Sequence, residues 1–313
     1  MLVMKCAIIG RTFKLYKTAE ALLEAGHKIA AVVTAKAAPE YPVSASDFEE
    51  LAHNSGARFL QTARIDKHPD TLLEYGSLDV GISVNYPGII PQSVIDSFRL
   101  GILNAHGGDL PRYRGNACQA WAILNGEDQI GLCIHKMVGG ELDSGDIIER
   151  DYFPLSIDSR IGEVHEWMNQ RVPDMFLSAV GKLSAEPAYI LERQSRDPAD
   201  ALRCYPRCPS DARIDWTRSN REILRLINAS SEPYAGAFGV FRGKNIIVWR
   251  AHLPAHDVEN CCAVPGQVAR IDSESGDVTI ITGAGKLVIT DIEYEGKKAK
   301  PSAFVSSMRD RLE

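Results

Sequence analysis

The chain has 313 residues, 45% hydrophobic and 24% charged, which suits about two globular domains of ~100–200 residues, each with its own core. No apolar run approaches the ~18 residues of a membrane helix and no signal-peptide pattern stands at the N-terminus, so the expectation is a cytoplasmic enzyme with no membrane partner. The net charge of −6 supplies no overall attraction for nucleic acid, although a small net charge can hide a basic face, and sets the expectation of no nucleic-acid partner.

Taken in chain order, CAIIG (Cys6 to Gly10) reads as a buried strand, Lys14 to Ala25 as a helix ended by Gly26, and KIAAVVT (Lys28 to Thr34) as the next strand. Helices are predicted over Asp47 to Asn54 and His68 to Tyr75, and a third buried strand at DVGISV (Asp79 to Val84). Continuous apolar strands alternating with helices argue for a mostly parallel sheet covered on both faces, a Rossmann-like α/β domain over residues 1–188 that closes with a long helix over Ile161 to Leu183. Gly10 is not followed by the G-x-G-x-x-G fingerprint, so ligands are expected at the C-terminal ends of later strands. Residues 189–208 are charged and Pro-containing and read as a linker. Over 209–313 a short helix (Ser219 to Ala229) precedes the runs AFGVF, NIIVW, GQVARI, DVTIIT and KLVITDI, separated by turns at Arg242-Gly243, Pro265-Gly266 and Ser275-Gly276, which predicts a small β-barrel.

Seven cysteines form no paired framework, and Cys204 and Cys208 in CYPRC find no partners of complementary spacing, so no metal site is expected. The chemistry concentrates between Leu103 and Ile148. LNAHGGDLPRYRG places Asn104 and His106 at a strand end with one residue between them, GLCIHKM follows, and LDSGDII sets Asp143 in a Gly-rich turn. An amide and an imidazole can stabilise an oxyanion while a carboxylate orients the imidazole and handles protons, so the ordered set can make an acyl-transfer site. An isolated Asn is more often a turn cap and a lone His a satisfied structural residue; only the constellation argues otherwise. Asp146, three residues beyond Asp143, reads as turn structure.

LNAH, LPRYRG and LDSGD resemble the signature of formyltransferases that use 10-formyltetrahydrofolate, in which Asn, His and Asp form the catalytic trio. The likeness covers roughly the whole chain: PSDARIDW, PYAGAF and KNIIVWRAHL are similar to the C-terminal domain shared by methionyl-tRNA formyltransferase and the enzymes that N-formylate amino sugars on nucleotide carriers. It implies Asn104, His106 and Asp143 as catalytic, 10-formyltetrahydrofolate as cosubstrate, and an OB-like form for the C-terminal barrel. It further implies a folate slot lined by NYPGII and GGELD, with Tyr86, Gly88, Ile89 and Ile90 on one side and Gly139, Gly140 and Leu142 on the other. Arg112 and Arg114 are expected at the substrate, through phosphate, through the folate glutamate, or only as loop ion pairs. His135 is expected to contact the acceptor or support the site. Family analogy allows a homodimer through the C-terminal domain.

The expected acceptor is a nucleotide-linked amino sugar, as in lipopolysaccharide and O-antigen synthesis, because NAHGGDLPRYRG and GKNIIVWRAHL look most like the formyltransferase of UDP-4-amino-4-deoxy-L-arabinose. The stretch AKAAPEYPVSASDFEE carries one Lys where the tRNA enzyme usually has a basic insertion, and only EGKKAK is dense in Lys. Methionyl-tRNA is the alternative acceptor.

Overall fold

The structure, a computed structural model, describes residues 2–37, 41–68, 77–256 and 261–313. Its first sheet is built from the apolar runs seen in the sequence: β1 (Lys5–Gly10), β2 (Lys28–Thr34), β3 (Arg58–Gln61), β4 (Val80–Val84) and β5 (Ile102–His106). Ile8, Ile9, Val32, Val33, Val80 and Ile82 are all shut away from solvent, as strands covered on both faces require. These strands are parallel and ordered β3-β2-β1-β4-β5. Two later strands, β7 (Gln129–Lys136) and β8 (Ile147–Pro154), complete seven, and β7 runs antiparallel to β5. A mostly parallel Rossmann-like sheet is therefore what the structure contains.

Helix α1 (Phe13–Glu24) follows β1, and α2 (Ala45–Ser55) follows β2. α2 begins two residues ahead of the predicted start because Ser44 and Asp47 form a reciprocal capping box, and it ends at Gly56 in the left-handed region. The helix predicted over His68 to Tyr75 lies outside the described residues. α3 (Gln92–Ile95) is a single turn, α4 spans Cys118–Asn125, and α5 spans Ile161–Ala185 with Pro173 inside it. Because β1 pairs with β2 on one side and β4 on the other, the strand order reverses between β1 and β4, where doubly wound sheets open a crevice at the strand ends. A Cβ on Gly10 would lie 2.1 Å from the Val84 carbonyl oxygen, so only glycine lets those two strand ends close together.

The predicted linker carries local structure. A short strand β6 (Arg114–Gly115) pairs in parallel with β9 (Arg203–Cys204), and Glu192 bridges to Ile147. Contacts divide the chain into one unit of Met1–Cys118, Ile130–Phe153 and His165–Cys204, and a second of Gln119–Gln129, Pro154–Val164 and Tyr205–Glu313.

The second unit holds α6 (Asn220–Ser230), capped by Ser219 and Glu222, and an antiparallel sheet. Its strands are β10 (Ala237–Phe241), β11 (Lys244–His252), β12 (Val268–Ile271), β13 (Val278–Ile281), β14 (Lys286–Tyr294) and β15 (Lys297–Ala299). They are ordered β10-β11-β14-β13-β12, with β15 on β14. Arg242-Gly243 and Glu295-Gly296 make the two-residue hairpins, each with both residues at positive φ as a type I′ turn demands. Ile223, Leu224 and Ile227 of α6 join Val248, Ile280, Leu287 and Ile289 in one core. Trp216 is buried in that core. The ladder is an open antiparallel sheet, not a continuously paired barrel; isolated bridges from Arg311 to Gln267 and from Leu312 to Phe241 touch its two edges. Among the described residues no helix is long and apolar enough to cross a membrane.

Candidate active site

Alternation along β5 puts Asn104 and His106 on one face of the strand, and the antiparallel register with β7 sets His135 directly opposite Asn104. The Asn104 side-chain nitrogen lies 3.2 Å from His135 Nε2. His135 is buried, and its Nδ1–H donates to the Lys136 carbonyl at 2.9 Å, which leaves Nε2 to face the cluster. Sequence reasoning placed His135 near the site; the structure makes it a bridge between Asn104 and Asp143.

His106, also buried, has its Nε2 2.6 Å from the Tyr113 carbonyl oxygen. A carbonyl can only accept, so Nε2 carries the hydrogen and Nδ1 is the nitrogen turned toward Asp143. The contact depends on Gly108: a Cβ there would come within 2.3 Å of the Tyr113 oxygen and 2.6 Å of His106 Nε2. The Cys118 thiol donates to the same carbonyl at 2.9 Å, and burial pushes its pKa up, which keeps it a neutral thiol.

Asp143 sits between the two imidazoles at φ 48°, a left-handed conformation that Asp tolerates better than most residues. Its Oδ2 is 3.5 Å from His106 Nδ1 and accepts the Gly115 N–H at 2.9 Å, while Oδ1 is 3.5 Å from His135 Nε2. Burial alone would push this carboxyl up. The two imidazoles beside it, His106 and then His135, together with the Gly115 N–H, outweigh it and hold the carboxyl well below the usual carboxylate range. Asp143 is therefore a fixed negative charge at neutral pH, suited to steadying an imidazolium and unsuited to serve as a strong base itself.

The loop that carries Asp143 is held from a distance. The Gln194 side-chain N–H groups donate to the Asp143 carbonyl at 2.9 Å and the Gly145 carbonyl at 2.6 Å, and Arg114 donates to its oxygen at 2.8 Å. The Gln194 backbone N–H donates to Asp146 at 3.3 Å, so Asp146 is occupied in shaping the turn. Arg114 also reaches the Ser195 carbonyl at 3.3 Å, and the Arg112 guanidinium lies over the Tyr113 ring. Arg150 clamps the base of the LPRYRG loop through Asp109 at 2.5 Å and the Leu110 carbonyl at 2.8 Å. Sequence reasoning missed Gln194, Arg150 and the Tyr113 carbonyl. The first lies in the segment read as a linker, and the last acts through backbone, so no local pattern marks them.

The two segments expected to form a folate slot do adjoin. The Gly139 N–H donates to the Gln92 side chain at 2.8 Å, and a Cβ on Gly139 would lie 2.4 Å from the Gln92 nitrogen. Within them the residues differ in role. Ile90 is a core residue, and Tyr86 is tied by its hydroxyl to the Thr62 carbonyl at 3.0 Å and the Ile65 N–H at 3.1 Å. A Cβ on Gly88 would strike the Ala63 carbonyl, whereas Gly140 faces open space. Ile89 is 78% and Leu142 39% exposed, so these are the large apolar side chains that the two segments present to solvent.

A formyl transferase family model matches residues 4–180, and the formyl transferase C-terminal domain model matches residues 208–309. A methionyl-tRNA formyltransferase of Dechloromonas aromatica is 29% identical over 289 residues, covering 90% of this chain and 88% of its own; further curated relatives carry the same name. Among solved structures, HypX from Aquifex aeolicus in complex with tetrahydrofolic acid superposes with a TM-score of 0.62 at 19% identity, over 98% of this chain and 48% of that one, so this chain spans about half of HypX. An N-formyltransferase from Helicobacter canadensis, solved with folinic acid and dTDP-3-aminofucose, gives a TM-score of 0.65 at 15% identity over 92% and 99%. Likeness to the two solved structures speaks for the fold alone.

The amino-sugar acceptor is thereby corrected, and the tRNA named in those relatives speaks against the expectation of no nucleic-acid partner. The relatives compared above, which span both domains, are named methionyl-tRNA formyltransferases, whereas the sugar enzyme is a structural neighbour at 15% identity. Short motifs such as NAHGGDLPRYRG belong to the shared formyl-transfer site and do not distinguish acceptors, and net charge averages over the molecule and says little about one binding face. Two of the three lysines of EGKKAK face carboxylates: Lys298 reaches Glu232 at 3.5 Å and Lys300 reaches Asp277 at 3.0 Å.

Proposed function

This chain belongs to the formyl transferase family, and we propose that it moves the formyl group of 10-formyltetrahydrofolate onto the amino group of methionyl-tRNA. The observation that carries the acceptor is the run of methionyl-tRNA formyltransferases at 27–29% identity over about nine-tenths of the chain. We read the second unit as an OB-like barrel closed through the Arg311 and Leu312 bridges.

The folate supplies a formyl group on a nitrogen that can leave as an amine. The exposed apolar side chains of Ile89 and Leu142, at the edges of two adjoining Gly-containing loops, fit a flat ring with an apolar rim. Asn104 donates an N–H to the formyl oxygen as negative charge gathers there, a contact whose loss typically costs ~10²–10³ in rate. His106 takes the proton lost by the attacking amine at Nδ1 and returns it to the departing nitrogen, so that one C–N bond forms, one breaks and the proton is conserved. Its Nε2–H stays fixed on the Tyr113 carbonyl, and Asp143 holds the transient imidazolium. His135 is a positioning residue that fixes Asn104 against Asp143. Arg114 acts on the loop through Gln194.

The test is turnover of 10-formyltetrahydrofolate with methionyl-tRNA against the same tRNA deacylated. Donor consumption that requires the charged tRNA supports the reading. Equal consumption without an acceptor would make the chain a hydrolase and overturn it.

A further inference from the structure

The N-terminus of α1 is built unlike an ordinary helix start. Thr12 stands at the N-cap, the position where a Thr hydroxyl normally accepts an N–H from the first turn. Here it makes no such bond, and its Oγ1 is buried without any partner although the residue is only 6% exposed. Leu15 and Tyr16 spend their N–H groups on the Thr12 carbonyl, and those of Phe13 and Lys14, the first two of the helix, have no acceptor among the described residues. No acidic residue occupies the first turn. The next residue back, Arg11, also has a buried, unpartnered Nε; its Nη1 is anchored on the Lys36 carbonyl at 2.9 Å and its guanidinium lies over the Tyr41 ring. Tyr41 in turn is bonded to Asn85, the left-handed residue that follows β4. Among the described residues no carboxylate pairs with Arg11.

Every unsatisfied group here is a donor or can act as one, and all are gathered on the positive end of a 12-residue helix. The place is also specific: it is the reversal point between β1 and β4. β4 lies directly between β1 and β5, so this end stands about 10 Å, two strand spacings, from the end of β5 that carries Asn104 and His106.

We propose that Thr12, the Arg11 guanidinium and the first-turn amides of α1 form an anion site that takes the 5′-phosphate of the nucleotide bearing the acceptor's aminoacyl ester. The proposal rests on the tRNA reading for the identity of the phosphate, because a ribose and its ester would bridge from this site to the formyl group. An unpaired Thr hydroxyl becomes a donor to the phosphate, and the Arg11 Nε meets the oxygen it lacks.

The experiment compares two minimal acceptors, 3′-O-methionyl adenosine 5′-monophosphate and the same ester without the phosphate, with 10-formyltetrahydrofolate as donor. The quantity read is the ratio of their kcat/KM values in wild type, Thr12→Val and Arg11→Gln. The wild type should favour the phosphorylated ester by at least about tenfold, mostly in KM, and each substitution should collapse most of that ratio. An equal rate on both esters in wild type, or a preference that survives both substitutions, overturns the site. If the substitutions weaken only the KM for the folate, the anion is its glutamate carboxylate and the phosphate assignment falls. Calorimetric binding of adenosine 5′-monophosphate separates this proposal from the acceptor reading. Weakened binding in both variants upholds the site even if neither ester is formylated, and binding equal to wild type refutes it. Because Thr12 makes no cap bond, Thr12→Val should melt with the wild type, so a lost ratio cannot be charged to unfolding.

Discussion

Replacing Asp143 with Asn removes one charge from the middle of the cluster and almost nothing else. Asn has the same shape, tolerates the left-handed backbone at φ 48°, and can still accept the Gly115 N–H through its amide oxygen. What disappears is the carboxylate 3.5 Å from both His106 and His135. A unit charge pair at that distance is worth about 5 kcal/mol at an effective dielectric near 20, and the imidazolium that forms during proton transfer loses that support. A loss of about 3–5 kcal/mol in the transition state corresponds to a fall in kcat of about 10²–10⁴. Folate binding should stay within about threefold, because the charge bears on proton transfer and not on the apolar rim. Stability gives a second readout. The folded carboxyl is held below its unfolded value of about 3.9, so it stabilises wild type above that pH and the contribution is lost as pH falls through the folded value. Asp143→Asn should therefore lose stability at neutral pH and show a flatter acid limb. Single-turnover formyl transfer, folate titration and melting from pH 7 to pH 3 check all three. A variant within fivefold of wild-type kcat, or one that loses folate binding as fully as turnover, would refute the reasoning.

Three further substitutions follow from the same geometry. Gly108→Ala drives a methyl into the Tyr113 carbonyl and His106 Nε2, so kcat should fall at least about 100-fold with a destabilisation of about 1–3 kcal/mol; rates and denaturant midpoints report both. Gln194→Ala leaves the Asp143 and Gly145 carbonyls without their side-chain donor and takes from Arg114 the nearer of its two acceptors, costing about 1–3 kcal/mol, and should lower kcat although residue 194 lies 51 positions from Asp143 in sequence. Lys14 is desolvated by its surroundings and its pKa is lowered to about 8; its charge adds to the burial that lowers His165 to about 4. A folded pKa below the unfolded ~10.4 means the charged form is disfavoured below pH 8, so Lys14→Met should stabilise by about 1–3 kcal/mol at pH 7. That advantage should shrink as pH rises from 8 toward 10.5, a trend that urea melts across this range would show or exclude.

The first domain was readable because its strands are buried on both faces: runs such as CAIIG and KIAAVVT need no alternation to be recognised. Asn104 and His106 were readable as a pair, since two residues apart on a strand end means one face. Their partners were not. His135 reaches Asn104 only through the antiparallel register of β5 and β7, and register is a property of two strands together. Gln194 secures the Asp143 turn from a segment whose charge and proline content read as a tether. The Tyr113 contact is made by a carbonyl that every residue possesses. In the second unit the alternating runs and the Arg242-Gly243 turn located the strands, whereas the bridges from Arg311 and Leu312 to the two sheet edges are single pairings that no alternation marks. The acceptor is not legible in the sequence, because NAHGGDLPRYRG serves the formyl transfer itself and a loop poor in basic residues does not define the face an acceptor meets.

The most direct measurement is chemical. The chain is incubated with 10-formyltetrahydrofolate and methionyl-tRNA, the ester is hydrolysed with base, and the released amino acid is identified by mass. Formylmethionine, formed by wild type and suppressed in Asp143→Asn, is the predicted result. Release of unmodified methionine while the formyl donor is consumed would contradict the account.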